Sequence, residues 1–204
     1  MKNTFRKVYQ TQAQATMPKV TALHAPLGSP RRAAAEAFIR DIFASHYNAR
    51  VSTFAPNLLL IEKHHAIMAA TGWRSAQAET LFLERYLATP IENHIAKLAN
   101  QPVLRERIVE VGHLASQKAG ASVHIIRELA SHLNEQGFEW VVFTATQELI
   151  GIFSKLGLPL LALAVADPNC LGADANNWGS YYDTQPIVVA GKIRLALQRL
   201  EHVA

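Results

Sequence analysis

The chain has 204 residues, half of them hydrophobic, and a formal net charge of +4 with histidine neutral. This length and apolar content suit one domain with a full core and exclude wholesale disorder. The charge is mild and no block of Lys and Arg is dense. The composition therefore favours a phosphorylated cofactor or an acidic carrier protein over nucleic acid.

Residues 1–30 are polar and contain several Pro and Gly residues, which predicts an irregular N-terminal arm. They include no apolar core of a signal peptide, and the longest apolar run, LPLLALAVA, is too short to span a bilayer. We therefore expect a cytoplasmic protein without stable membrane insertion. Residues 31–204 are expected to form a single domain.

The first elements predicted within that domain are a helix, a hairpin and an interrupted helix. RRAAAEAFIRDIFASHY has apolar residues at helical spacing. NLLLIEKHHAIMAATGWR predicts a β-hairpin that turns at residues 63–65. AETLFLERYLATPIENHIAKLA has a helical pattern on both sides of Pro90, which breaks or restarts the helix.

The second half alternates strand and helix patterns. RIVEVGHLAS predicts a strand, and residues 122–136 predict a helix that stops at Gly137. FEWVVFTAT predicts a buried strand, and QELIGIFSKLGL predicts a short helix. LPLLALAVAD and QPIVVAGKIRLAL predict closing strands on either side of a loop around Trp178. This order predicts an α/β (α+β) fold with a largely antiparallel central sheet and helices on both faces.

A segment rich in small residues connects the fourth strand pattern to the helix after it. Its members are Gln117, Lys118, Ala119, Gly120, Ala121 and Ser122. Small residues let backbone N–H groups approach a ligand, and a helix N-terminus adds a partial positive charge. A pyrophosphate suits such a site, with Lys118 as an extra cation. The alternative is an ordinary connection in which Ser122 is the helix N-cap.

This segment resembles the Q/R-x-x-G-x-G/A loop of the GNAT acyltransferase superfamily, with Ser122 where Gly or Ala is usual. FSKLGL, residues 153–158, resembles the Y-x-K-L-G-F signature of the same superfamily, and FEWVVFTAT lies between the two motifs. The resemblance implies that the donor is acyl-CoA or the acyl-phosphopantetheine of a carrier protein. It also implies that the preceding strand aligns the pantetheine. The strand residues concerned are Gly112, His113, Leu114, Ala115 and Ser116.

From about residue 35 the chain is similar to the bacterial thermostable hemolysin family, through LFLERYLATPIE, VEVGHLAS, FTAT, LGL and WGSYYDTQPIVVAG. That family is assigned to the acyltransferase-like fold and resembles the acyl-homoserine-lactone synthases. The resemblance implies an N-acyltransferase that acts on a small amine, with Glu110 as the base. Gly112 and His113 stand where the synthases carry Ser and Arg.

Glu110 alternates with Val109 and Val111, so its side chain is expected to leave the apolar face of the strand. A carboxylate there is suited to accept the proton of an incoming ammonium group. The alternative is a structural ion pair with a nearby arginine. The candidate partners are Arg85, Arg105 and Arg107.

Phe153 stands where many GNAT enzymes carry a tyrosine that protonates the leaving thiolate. A phenyl ring has no proton to give, so that route is excluded. Ser154, Tyr181, Tyr182 or solvent would have to replace it, or the protein has lost catalysis.

The candidate substrate residues are aromatic, charged or hydroxyl-bearing side chains near predicted loops. They are Trp73, Arg74, Arg85, Tyr86, Glu92, Thr144, Trp178 and Tyr181. Trp73 and Arg74 suit an acyl-pocket wall and an anion contact, and the residues around Pro90 suit an acceptor site. The alternatives are core packing for Trp73 and a solvated helix face for the charged residues.

Three functions remain open at this stage. The first is an N-acyltransferase, the second a membrane-active hemolysin, and the third a catalytically inactive acyl-CoA-binding protein. The nine histidines are scattered without metal-ligand spacing, so we expect no metal cofactor.

Overall fold

A computed structural model describes residues 20–201 of the chain. Seven strands form one sheet. They are β1 (Val20–Pro26), β2 (Asn57–Lys63), β3 (Ala66–Ser75), β4 (Ile108–Ser116), β5 (Trp140–Ala145), β6 (Leu161–Val165) and β7 (Ile187–Lys192). The order across the sheet is β1-β2-β3-β4-β5-β7-β6, and every pair is antiparallel except β4 with β5. The predicted, largely antiparallel sheet is confirmed.

Five α-helices cover the sheet. They are α1 (Arg32–Tyr47), α2 (Ile91–Ala99), α3 (Ala119–Glu135), α4 (Gln147–Lys155) and α5 (Ile193–Glu201). Helices α1 and α2 pack on one face, and α3, α4 and α5 pack on the other. The alternation of strand side chains produces this layering, because Leu58 and Leu60 contact the α1 side while Leu59 and Ile61 contact the α3 side. Helices on both faces are therefore confirmed.

The C-terminal part of the predicted N-terminal arm is a β-strand in the structure. Residues 20–26 form β1, an edge strand that pairs with β2 along its whole length. The prolines that suggested irregular chain lie at or beyond the ends of this strand, where a missing N–H is tolerated. Residues 1–19 of the predicted arm lie outside the described residues.

The helical pattern before Pro90 gives a short 3-10 segment, Phe82–Tyr86, instead of an α-helix. Side chains from elsewhere take up the N–H groups that begin it, because Glu110 accepts from Phe82 and Leu83. Pro90 immediately precedes α2, so the predicted restart of the helix there is confirmed.

The last predicted strand also differs, because it ends at Lys192 and the chain continues as helix α5. The loop around Trp178 contains two 3-10 segments, Pro168–Trp178 and Tyr181–Thr184, and lies against the end of α1. The backbone N–H groups of Arg50 and Ser180 donate across this junction, to Asn177 and Tyr47.

Candidate functional site

The sheet opens at its centre, between β4 and β5. The two strands pair only at their first residues, with Ile108, Val109 and Glu110 opposite residues 140–142. Beyond Glu110 no residue of β4 pairs with β5. The edge of β4 that faces β5 is thus available to hydrogen-bond a ligand.

A cavity of about 200 Å³ occupies this opening. Its lining is mostly apolar and comes from β4, β5, Tyr181 and four helices, namely α1, α3, α4 and α5, with Phe153 among the aromatic members. Helix α3 contributes residues from Ser122 to Leu133, a stretch of about 16 Å at the rise of an α-helix. The donor cavity, as we call it below, is therefore long and apolar.

A second cavity of about 90 Å³ lies on the α1 side of β4 and is lined by both charged and aromatic side chains. Arg74 and Glu110 are its charged members. The aromatic members are Phe43, Phe82, Tyr86, Trp178, Tyr181 and Tyr182. We call it the acceptor cavity. The two cavities share lining residues, namely Phe43, Val111, Gly112, His113, Thr144 and Tyr181.

A β-bulge in β4 shapes the junction between the cavities. Gly112 pairs with Gly72 and Ala115 with Ala70, so β4 has one residue more than β3 between these pairs. His113, within the bulge, has a left-handed φ of 54°. The extra residue changes the alternation, and bulges commonly redirect a side chain in this way. His113 consequently lies on the Glu110 side of the sheet, whereas Val111 and Leu114 pack toward α3 and α4.

Glu110 is buried beneath the acceptor cavity and both of its carboxylate oxygens are hydrogen-bonded. Oε2 accepts the N–H of Phe82 at 2.9 Å, and Oε1 accepts the N–H of Leu83 at 2.8 Å. The Nε of Arg74 lies 3.3 Å from Oε2. Burial raises the pKa of Glu110, against the opposing effects of the two N–H donors and of the Arg74 charge. The ion-pair partner of Glu110 is therefore Arg74. It is not one of the three arginines that were considered from the sequence.

His113 is enclosed by aromatic rings. Its imidazole stacks on Trp178 with the ring centroids 6.1 Å apart and the planes at 9°, and it also contacts Phe43 and Phe54. Its Nδ1 is buried and has no hydrogen-bond partner among the described residues. Burial, with a further effect from the charge of Arg74, lowers the pKa of His113 to about 4. The imidazole is thus neutral at physiological pH.

The loop between β4 and α3 lies at one end of the donor cavity. The hydroxyls of Ser116 and Ser122 hydrogen-bond to each other, and both residues line the cavity. Lys118 occupies the N-cap position of α3, but no side chain makes a capping hydrogen bond at the N-terminus of this helix. A Cβ added at Gly120 would meet nothing within 4 Å. The helix begins three residues before Ser122, so Ser122 is not its N-cap.

Several predicted substrate residues lie together at the acceptor cavity. They are Arg74, Tyr86, Thr144, Trp178 and Tyr181. Sequence reasoning missed Phe43 of α1 and Phe82 as members of this cavity. Both residues are far from Glu110 in the sequence, so no local pattern connects them to it. The helical pattern of α1 indicated only that Phe43 is buried. Tyr182 was considered only as a proton donor, although it adjoins Tyr181.

Three predicted substrate residues lie outside the lining of both cavities. Trp73 packs in the core on the α3 side, in contact with the rings of His24 and His132. Arg85 pairs with Asp174, at 2.9 Å from Nη1 to Oδ2. Glu92 binds Arg105, which also holds both carboxylate oxygens of Glu84. The charged side chains around Pro90 therefore form ion pairs with other side chains of the protein, and these pairs anchor the segment before α2.

Phe153 is buried against Phe143 in the lining of the donor cavity, with the ring centroids 5.1 Å apart. The hydroxyl of Tyr181 donates to the carbonyl oxygen of Thr144 at 3.4 Å, and burial raises the pKa of this phenol. Ser154 is exposed and lines neither cavity.

Among residues 20–201, no helix is long and apolar enough to cross a membrane. Within the same residues there is no group of three or more His, Cys, Asp or Glu side chains that could hold a metal ion. Cys170 is exposed and has no disulfide partner.

A mixed, seven-stranded sheet that splits between two parallel central strands, with a bulge beside the split, is a GNAT-like fold. Residues 25–197 match the family model for thermostable hemolysin, and the chain belongs to that family. The family suggested by the sequence motifs is confirmed. No curated protein matches the chain.

Solved structures with the same fold include three synthases. The chain is similar to the acyl-homoserine-lactone synthase LasI with a TM-score of 0.60 and 10% identity, over 89% of this chain and 95% of LasI. It is similar to FeeM, an N-acyl amino acid synthase from uncultured soil microbes, with a TM-score of 0.61 and 13% identity, over 90% and 96% of the two chains. For BjaI, a CoA-dependent acyl-homoserine-lactone synthase with SAM and isopentyl-CoA, the TM-score is 0.58 and the identity 12%, over 91% and 89%.

Proposed function

We propose that this chain is an N-acyltransferase that moves an acyl group from a thioester to the nitrogen of a small amine. The observation that carries the proposal is the meeting of two chemically different cavities along β4, at Gly112 and His113. One cavity is long and apolar, and the other contains a carboxylate, a guanidinium and aromatic rings. A two-substrate transfer needs such a pair of sites with one shared boundary.

The donor is acyl-CoA or the acyl-phosphopantetheine of a carrier protein. The free edge of β4, from Gly112 to Ser116, is suited to hydrogen-bond the amides of pantetheine. The uncapped N–H groups at the start of α3, with Lys118 beside them, are suited to the phosphate groups. The apolar lining along α3 then surrounds the acyl chain. BjaI, with the same fold, was solved with isopentyl-CoA, and this supports a thioester donor.

The acceptor is a small amine bound in the acceptor cavity, beside the ion pair of Arg74 and Glu110. The carboxylate attracts the ammonium group and receives its proton, directly or through a water molecule. Burial raises the pKa of Glu110, which increases its basicity toward that proton. Arg74 donates to Glu79 through Nη1 and offers its remaining guanidinium donors to an acidic group on the same substrate, as an amino acid would carry. FeeM, an N-acyl amino acid synthase by its description, supports this class of acceptor.

A catalytically inactive acyl-CoA-binding protein is the second candidate, and one observation favours it. Phe153 lies in the donor cavity without the hydroxyl that would protonate a leaving thiolate. Such a protein would bind the donor but would leave the thioester intact. Binding and turnover must therefore be measured on the same sample.

The test combines a panel of acyl-CoAs of increasing chain length with a panel of amino acids and simple amines. We expect medium or long acyl-CoAs to raise the melting temperature of the protein, and one class of amine to accelerate thiol release. Mass spectrometry should detect the corresponding amide. Thermal stabilisation without thiol release for any amine would favour the inactive binding protein. Neither stabilisation nor release, with acyl-carrier protein also tested as donor, would contradict both functions.

A further inference from the structure

Amide formation from a protonated amine requires two proton movements, and Glu110 accounts for one of them. An ammonium group must lose one proton before its nitrogen can attack. The nitrogen then carries a positive charge in the tetrahedral intermediate and must lose a second proton, while the departing sulfur must gain one. This inference rests on the proposed acyl transfer and concerns the second proton.

The proton donors considered from the sequence do not suit that transfer. Phe153 has no proton to transfer, and Ser154 lies outside both cavities. The hydroxyl of Tyr181 already donates to the carbonyl of Thr144, and burial raises its pKa, which makes it a poor acid. Tyr182 shares a hydrogen bond with Tyr86 and does not line the donor cavity.

His113 has the opposite properties. It lines both cavities, and the β-bulge places its side chain on the side of the sheet where Glu110 lies. Its Nδ1 is buried without a partner among the described residues, an arrangement that is costly unless a ligand uses the nitrogen. The stack on Trp178 fixes the orientation of the ring. A non-glycine residue with positive φ beside a cavity is also typical of functional sites.

We propose that His113 is a catalytic residue that carries the second proton from the attacking nitrogen to the leaving sulfur. The amine nitrogen forms a bond to the thioester carbon, and the carbonyl π electrons move to oxygen. The imidazole takes the proton from the positively charged nitrogen. The electrons on oxygen then re-form the carbonyl, the C–S bond breaks, and the imidazolium gives its proton to the thiolate. The products are an amide and a thiol, His113 returns to its neutral form, and Glu110 releases the first proton to solvent.

The chemistry of a buried imidazole suits this sequence. At neutral pH the ring is uncharged, because its pKa is lowered to about 4, and it can accept a proton at once. The nitrogen of the tetrahedral intermediate is more acidic than the free ammonium, so it gives up its proton more readily. An imidazolium of low pKa is in turn a strong acid toward a thiolate.

The test uses His113→Asn in the full chain. Asn tolerates positive φ, so the backbone of the bulge is retained, but its amide carries no proton between reactants. With acyl-CoA as donor we expect turnover to fall by roughly 10²–10⁴-fold, the range for a general acid–base residue. With an S-acyl 4-nitrothiophenol, whose thiolate needs no proton to leave, the loss should be clearly smaller, because only the deprotonation of nitrogen still needs a carrier.

His132→Asn is the matched control, since its Nε2 is also buried without a partner among the described residues but the residue lines neither cavity. It should leave both rates unchanged. His113→Gly also permits positive φ, and added imidazole should restore part of its turnover. This second variant keeps the test decisive if the asparagine variant does not fold.

Equal losses with both donors and no rescue by imidazole would show that His113 only shapes the site, and would overturn the proposal. Wild-type turnover in a folded His113→Asn protein would overturn it as well. A large loss in Tyr181→Phe that the aryl thioester restores would transfer the role to Tyr181. If the wild-type protein transfers no acyl group to any amine from any donor, the proposed function itself fails, which is a distinct outcome.

Discussion

At the scale of single residues, Glu110 serves both the fold and the candidate site. Its two oxygens hold the N–H groups of Phe82 and Leu83, and its position beneath the acceptor cavity places a carboxylate where an amine would bind. Burial raises its pKa, whereas the two N–H donors and the charge of Arg74 lower it and thus favour the ionised carboxylate. A buried carboxylate with this many donors stabilises the segment before α2 whether or not it is a base.

Glu110→Gln is expected to lower both stability and turnover. The glutamine amide presents an NH₂ group to one of the two backbone N–H donors, which should cost about 1–3 kcal/mol of unfolding free energy. Loss of the base should lower turnover by roughly 10²–10⁴-fold, with the affinity for acyl-CoA little changed. Chemical denaturation and steady-state kinetics on one preparation measure the two effects.

Glu84→Gln provides the matched control for that variant. Glu84 also accepts two backbone N–H groups, from Leu81 and Ile91, and pairs with Arg105, but it lines neither cavity. It should lose stability with turnover of the folded protein retained. Normal acylation by a folded Glu110→Gln protein would remove Glu110 from the role of base.

At the scale of elements, the sequence predicted those parts whose pattern is local. The hairpin of β2 and β3, strand β4, helix α3 and strand β5 follow from apolar periodicity and turn residues. Strand β1 was not predicted because a short edge strand is defined by its pairing with a partner strand and not by a pattern of its own. Helix α5 was not predicted because the apolar strand β7 continues directly into it. The bulge at His113 and the pairing of Glu110 with Arg74 depend on β3, some 40 residues away, and no local pattern encodes them.

Gly120→Asp tests the loop between β4 and α3. A Cβ at this position meets nothing within 4 Å, and an acidic residue in the first turn of a helix is favourable, so the variant should fold with unchanged or slightly raised stability. A carboxylate at a phosphate site should repel CoA, and we expect its affinity to fall at least about 10-fold, as for one lost charged contact. Gly120→Ala adds bulk without charge and should lose less. Equal stabilisation of Gly120→Asp and wild type by CoA would refute the pyrophosphate assignment.

At the scale of the whole molecule, one loop connects the outer layers to the site. Trp178 and Tyr181 belong to the 3-10 segments that dock on the end of α1, and they line the acceptor cavity. Gly179 permits this docking, because a Cβ there would lie 1.9 Å from the carbonyl oxygen of Tyr47. The aromatic rings of the loop around Trp178 are therefore held by a backbone contact that only glycine allows.

The family name suggests lysis of cells, and the whole molecule predicts how lysis would depend on substrates. The apolar faces of the five described helices pack against the sheet, and none of these helices could cross a membrane. We therefore expect purified full-length protein to release no dye from liposomes of phosphatidylcholine and phosphatidylglycerol in the absence of acyl donor and amine. With both substrates, leakage should follow the accumulation of an acylated, surfactant-like product, and Glu110→Gln should delay it in proportion to its turnover. Extracted product alone should reproduce the leakage, whereas prompt release by the protein alone would establish a membrane-active hemolysin.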